Sequence, residues 1–222
     1  MSAHLEIEKK YQIVETDLGP LLAQFEYVSE KRIIDEYFDT VDGKFYQEGI
    51  FIRIRNQKTL DVKFNPDHLG QRGVHEHVFC AEYSFQEPFA NQDFKTFEAL
   101  GQLIGTQQPF SSSFSSFLKS NQLVILLLID KIRKTYKQGH FALVIDAIAG
   151  LGTILEIEYT GKNTNPDVEQ IVSEIDELMQ EVPTVPLATG SFEMLLKKQN
   201  FELYRKGKYL LEEDRELDKT AA

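Results

Sequence analysis

The stretch HLEIEKKYQI (residues 4–13) decides how the rest of the chain is read. Side chains of a β-strand alternate between its two faces. Glu6, Glu8 and Lys10 therefore share one face, and Leu5, Ile7, Tyr11 and Ile13 share the other, interrupted only by Lys9. A wet face would account for one such strand, because antiparallel sheets are commonly buried on one side and solvated on the other. The same segregation of charge recurs down the chain, and that recurrence needs a different explanation.

Working outward, GIFIRIRNQKTLDVKFNP (49–66) reads as a hairpin turning near Asn56 to Thr59. Ile50, Ile52 and Ile54 alternate with Phe51, Arg53 and Arg55, and the return strand sets Val62 and Phe64 against Asp61 and Lys63. Lys131 and Arg133 share a face in DKIRKTY, Asp146 lies in VIDAI, and Glu156 and Glu158 repeat the opening Glu-x-Glu in ILEIEY. In most of these strands the opposite face is apolar. If helices cover the apolar faces, the charged faces line either open water or the inside of a barrel.

Between these strands the signals are conventional. Helical spacing is seen over TDLGPLLAQFEYV, with Thr16 or Asp17 as a possible cap, over 90–105, over a segment entered at Asn165–Pro166, and from about Ser191. RIIDEYFDT and VHEHVF read as further strands, the latter as the fifth, and a Ser-rich excursion at 109–121 has the look of an insertion. About eight strands with three or four helices, mostly joined as hairpins, predict an α+β fold built on an antiparallel barrel or strongly curved sheet. No repeat or linker divides residues 1–200, and the charged stretch 201–222 reads as a C-terminal extension that frays at its end.

Composition removes several function classes. A net charge of −11 over 222 residues argues against a nucleic-acid partner, which needs a basic footprint. Cys80 is the single cysteine, so an intrachain disulfide and a thiolate metal cluster are excluded. LVILLLI (123–129), the longest apolar run, falls far short of the about 20 residues of a membrane span and reads as a buried segment. With no basic-then-apolar leader, the expected setting is cytoplasmic, with no membrane partner, as a monomer or homodimer.

Placed inside a barrel, the charged faces would give a wet channel with six cations (Lys10, Arg53, Arg55, Lys63, Lys131, Arg133) and five carboxylates (Glu6, Glu8, Asp146, Glu156, Glu158). So many buried charges need partners or ligands. Two Glu-x-Glu pairs and an Asp suit a hard divalent cation such as Mg²⁺ or Mn²⁺. A basic cluster beside them suits a polyphosphate, with arginines contacting it through two bonds. Together they are the parts of phosphoryl or nucleotidyl transfer.

At this point the chain resembles the CYTH superfamily, the triphosphate tunnel metalloenzymes. EIEKK fits the family's Glu-x-Glu-x-Lys signature, and YFDT, FIRIR, LDVKF, KIRKTY, VIDAIAGLGTILEIE and SFEMLL follow in family order, over about residues 4–196. The resemblance implies an eight-stranded antiparallel closed barrel whose tunnel holds a triphosphate and a divalent metal. By it, Glu6, Glu8, Asp146, Glu156 and Glu158 match the metal side. Lys10, Arg53, Arg55, Lys63, Lys131 and Arg133 match the phosphate side, and Glu6, Glu8, Lys10, Arg53, Arg55 and Lys63 make up the catalytic set. VHEHVF departs from the Arg-x-Glu that relatives often carry, which leaves His75, Glu76 and His77 without assigned roles. Phe192 stands where relatives often have Tyr, and Tyr11, Tyr37 and the phenylalanines read as core.

The implied activity is a metal-dependent phosphohydrolase acting on tripolyphosphate, thiamine triphosphate or ATP. A class IV adenylyl cyclase is the alternative, and a non-catalytic polyphosphate sensor the second. LDVKFNP lacks the Lys-Gly-Pro run associated with many of the cyclases, which favours the hydrolase. A carrier with an apolar lumen would need the opposite phase in every strand. Mutual repulsion in an empty tunnel further implies that removing Arg55 leaves the ligand-free protein no less stable.

Overall fold

The computed structural model describes residues 4–13, 18–69, 79–88, 91–106, 113–161 and 166–219. In chain order the first half comprises β1 (His4–Ile13), α1 (Gly19–Leu22), β2 (Glu26–Asp39), α2 (Lys44–Gln47), β3 (Phe51–Arg55), β4 (Thr59–Phe64), β5 (Phe79–Gln86), α3 (Asn91–Ile104) and α4 (Phe114–Ser120). The second comprises β6 (Val124–Gln138), β7 (Phe141–Ile148), β8 (Gly152–Tyr159), α5 (Val168–Met179), β9 (Thr184–Leu187), α6 (Ser191–Gln199), α7 (Phe201–Tyr204) and α8 (Glu212–Lys219). The strands run β5-β4-β3-β2-β6-β7-β8-β1, all antiparallel, and β1 pairs back onto β5 to close an eight-stranded barrel. Closure removes the open edges that would otherwise invite further pairing. β9, which the sequence pattern does not announce, adds to the second half of β1, with Pro186 on this added strand.

The β3–β4 turn is tight because Asn56 and Gln57 take left-handed backbone angles, φ 50° and 57°. It holds Arg53 opposite Asp61. Helices cover three outer or terminal faces. Ile52, Ile54, Leu60, Val62 and Phe64 are buried beneath Leu100 and Ile104 of α3 and Phe114 and Phe117 of α4. The Ser-rich excursion, where described, is thus part of a core. Ile7, Tyr11, Leu143, Leu155 and Ile157 pack under Ile171, Ile175 and Met179 of α5, which Asp167 caps by accepting from Gln170 N–H. The out-of-pattern Lys9 forms an ion pair with Asp176 of the same helix. At one end of the barrel the inward faces turn apolar, where Phe51, Leu127, Ile129, Ile148 and Ile154 meet Phe192, Leu195 and Leu196 of α6.

Four expectations change. Of the helical spacing read over TDLGPLLAQFEYV, only Gly19–Leu22 is helical, and Glu26, Tyr27 and Val28 open β2. The run 123–129 is a strand of alternating exposure, not a wholly buried segment: Leu127 and Ile129 are buried, but Ile125 is 56 % and Leu128 51 % exposed. A continuous apolar run carries no alternation from which its phase could be read. Ile132, on the face opposite Lys131 and Arg133 that a covering helix would bury, is 39 % exposed on the same outer side. The charged C-terminal stretch packs more than its composition suggests. Tyr204, Tyr209 and Leu210 are buried against the apolar end of the barrel, and the buried Asp214 accepts a 2.8 Å hydrogen bond from Tyr204. VHEHVF, apart from Phe79, lies outside the described residues, as do Thr16, Asp17 and Asn165.

Because Leu210 is fully buried, Leu210→Ala is expected to lower the free energy of unfolding by about 2–5 kcal/mol in a denaturant titration. An unchanged midpoint would show that this segment contributes nothing to the core.

Candidate functional site

The inward faces of the strands meet around one cavity, lined by Glu6, Glu8 and Lys10 of β1, Arg53 and Arg55 of β3, and Asp61 and Lys63 of β4. Lys131 and Arg133 of β6 and Glu156 and Glu158 of β8 complete its charged walls. The structure thus brings together every residue singled out from the sequence except Asp146, which lies behind the wall. Antiparallel register sets most of these charges opposite a partner of the other sign. Arg55 faces Asp35, Arg53 faces Asp61, Lys63 faces Glu82, Arg133 faces Asp146, and Lys10 faces Glu156. Directly opposed residues are the closest cross-strand neighbours, so opposite charges there stabilise the sheet.

The contacts follow that register. Arg55 donates to both oxygens of Asp35, at 2.8 and 3.0 Å. Arg53 donates to Asp61 at 2.6 and 3.0 Å and reaches Glu82 at 3.4 Å. Arg133 grips Asp146 at 2.6 and 2.7 Å and reaches Glu156 at 3.2 Å, and Lys131 adds a 2.7 Å bond to Asp146. Lys63 pairs with Glu6 and, at 3.1 Å, with Glu8, which Lys10 also contacts. The carboxylates divide by depth. Asp35 and Asp146 are 1 % exposed and hold cations from outside the cavity lining, whereas Asp61, Glu6, Glu8, Glu156 and Glu158 reach the lumen. Burial alone would raise the Asp35 carboxyl, but the Arg55 hydrogen bonds and the charges of Arg53 and Lys131 hold it down to about 2.

One corner of the wall breaks the rule. Glu8 of β1 faces Glu158 of β8, a like-charged pair that opposes sheet pairing. Glu6 and Glu82 approach closely enough to share a hydrogen bond beside them. Burial and the neighbouring Glu6 push Glu82 up to about 8, and burial with Glu6 and Glu8 raises Glu158. Among the described residues no three carboxylates already form a closed ion cage. The donor chemistry nevertheless fits a hard divalent cation, because carboxylate oxygens crowd one corner where a positive charge would relieve their repulsion. Asp146, engaged by Lys131 and Arg133, is not part of that corner.

Sequence reasoning missed Asp35, Asp61, Glu82 and Glu193. Asp61 was visible as the residue sharing a face with Lys63. Glu82 sits in FCAEYSFQ, a few residues past the strand expected at 74–79. Glu193 is buried on the first turn of α6, where its carboxylate accepts from Gly190 N–H at 3.1 Å. Tyr37, Phe51 and Phe192, read as core, do pack on one another, with ring centres 4.7 Å (Tyr37–Phe192) and 5.4 Å (Phe51–Phe192) apart, and they also close the apolar end of the cavity.

A family model, the CYTH domain, matches residues 4–185. The chain belongs to the CYTH family. Solved structures share the fold at low identity. A Pyrococcus horikoshii protein is 18 % identical with a TM-score of 0.56, over 87 % of this chain and 99 % of its own. A candidate adenylate cyclase from Vibrio parahaemolyticus is 16 % identical with a TM-score of 0.55, over 86 % and 98 %. A candidate adenylyl cyclase from Hippeastrum, described as having a dominant triphosphatase activity, is 18 % identical with a TM-score of 0.51, over 90 % and 96 %. No curated protein matches the sequence significantly. No described helix of this CYTH chain is long and apolar enough to cross a membrane.

The pairing overturns the expectation that losing Arg55 is harmless to the empty protein. Arg55→Ala removes two hydrogen bonds from a buried carboxylate and is expected to destabilise by about 1–3 kcal/mol in urea; equal stability would mean that Asp35 does not depend on it. Glu82 gives a pH test. Its folded value lies above that of an unfolded glutamate, so its contribution is complete below about pH 4 and is lost as pH rises through about 8. The metal-free protein should therefore melt lower at pH 9 than at pH 6, and Glu82→Gln should flatten that slope. An identical slope in the variant would place the titrating group elsewhere.

Proposed function

We propose that this CYTH protein is a divalent-metal-dependent phosphohydrolase acting on a triphosphate. The observation that carries the proposal is the gathering of six cations and the four glutamates of β1 and β8 around a single lumen of one closed barrel, with glutamates crowded at one corner of it. Lys10, Arg53, Arg55, Lys63, Lys131 and Arg133 offer charge-assisted hydrogen bonds to successive phosphate oxygens. Glu6, Glu8, Glu156 and Glu158 would hold Mg²⁺ or Mn²⁺, and a bound ion of this kind supplies Lewis-acid stabilisation of phosphoryl oxygens. Asp146 is left out of the metal set because it does not line the cavity and both of its oxygens accept from Lys131 or Arg133.

In hydrolysis, water attacks a terminal phosphorus, the bond to the bridging oxygen breaks, and the departing oxygen gains negative charge. Guanidinium groups fixed by Asp35, Asp61 and Asp146 are aimed before substrate arrives, so they meet that charge without first reorganising. The aromatic end favours hydrolysis over cyclisation. Phe51 and Phe192 are spent on each other and on the core, with Phe192 only 5 % exposed, so neither offers an open ring face to an adenine. Tripolyphosphate and the phosphate chain of ATP or thiamine triphosphate are the substrates that suit these walls.

Incubation with each triphosphate and Mg²⁺ or Mn²⁺ should release orthophosphate and stop on chelation. Glu156→Gln should slow turnover by on the order of 100-fold with folding intact. Cyclic AMP and pyrophosphate from ATP would replace this reading with a cyclase, and binding without any product would replace it with a sensor.

A further inference from the structure

We propose that Asp35 is a positioning residue of the phosphate cradle, fixing Arg55 of β3 in the orientation that reads a chain of phosphates and drawing Arg53 and Lys131 towards the same point. The proposal rests on the triphosphate reading above and extends it to a residue that a substrate would not touch. Asp35 is not part of the cavity lining and is 1 % exposed. It lies on β2, between β3 and β6 in the barrel. From there its carboxylate binds Arg55 through two hydrogen bonds and lies 3.8 Å from both Arg53 Nη1 and Lys131 Nζ. Three cations from two flanking strands thus converge on one carboxylate behind the wall they form.

The two-bond contact to Arg55 uses its Nε and one Nη, which fixes the guanidinium plane and leaves its other N–H groups for the lumen. An arginine held this way has already lost its rotamer freedom before ligand arrives, so binding a phosphate costs less ordering and demands one geometry. The plainer role of a buried carboxylate is to neutralise nearby cations, and the two roles differ in sign. Asp35→Asn makes the tunnel one charge less negative. Simple neutralisation therefore predicts that an anion binds the variant as tightly or more tightly. Positioning predicts weaker binding, because the asparagine amide group turns N–H donors towards a guanidinium that has no acceptor to spare.

The test is isothermal titration of wild type and Asp35→Asn with inorganic tripolyphosphate and with pyrophosphate, Mg²⁺ present. The expected result is a loss on the order of tenfold for tripolyphosphate and a smaller loss for pyrophosphate, so that preference for the longer chain declines. In turnover, KM should rise more than kcat falls. Equal or tighter tripolyphosphate binding by the variant overturns the positioning role. Failure of the wild type to bind tripolyphosphate overturns the triphosphate reading itself, and with it this proposal. Should Asp35→Asn not fold, the arginine side-chain Nε–H resonances of the wild type carry the test. The Arg55 signal should be protected from solvent exchange in the free protein and stay so with tripolyphosphate bound, and rapid exchange in the free protein contradicts the proposal.

Discussion

A charge taken out of water must find a partner, and the interior of this barrel is organised around that requirement. The six cations on its inward strands cannot each be left to solvent. They are met by carboxylates that the antiparallel register places opposite or beside them: Asp35, Asp61, Glu82, Asp146 and Glu156. The same constraint fixes the strand phase. A slip of one residue in β3 would turn Arg53 and Arg55 into the apolar layer beneath α3 and α4, and Ile52 and Ile54 into the lumen. The hydrophobic layer outside and the charge lattice inside therefore enforce one register together.

Depth in the barrel wall then separates structure from chemistry. Aspartates on β2 and β7 stop short of the lumen and act on the cations from behind. Glutamates on β1 and β8 extend into it. Where two glutamates face each other across β1 and β8, the pairing rule fails, and the failure coincides with the raised carboxyls of Glu82 and Glu158. Strain of this kind concentrates at functional sites. A triphosphate entering beside these carboxylates would be opposed by their charge unless a cation came with it, which is the physical reason to couple substrate and metal in one lumen.

Much of this arrangement was legible from residue spacing alone. A period of two places Glu6 with Glu8, Arg53 with Arg55, Lys131 with Arg133, and Glu156 with Glu158, and no tertiary information is needed to see that each pair shares a face. The partners were harder. Asp35 has no cation beside it on its face of RIIDEYFDT, and its value comes from Arg55, 20 residues away, and Lys131, 96 residues away. Such pairings depend on which strands become neighbours, which local pattern does not state. Asp61 lies in view beside Lys63, and Glu82 lies just beyond the strand that the sequence pattern marks at 74–79. The seven-residue apolar run failed for another reason: with no polar residue in it, nothing marks which side chains face outward.

The central claim is that the paired cations form a cradle for a phosphate chain, read by the number of phosphates and not by what is attached to them. Thermal unfolding of the wild type with Mg²⁺ and equal concentrations of ATP, AMP, tripolyphosphate or orthophosphate tests it most directly. A ligand at 100 times its dissociation constant contributes about 2.7 kcal/mol to the folded state, enough to resolve the series. Protection should be large with ATP and tripolyphosphate and small with AMP and orthophosphate. If AMP protects as well as ATP, recognition lies with the nucleoside, and the cradle does not read phosphate.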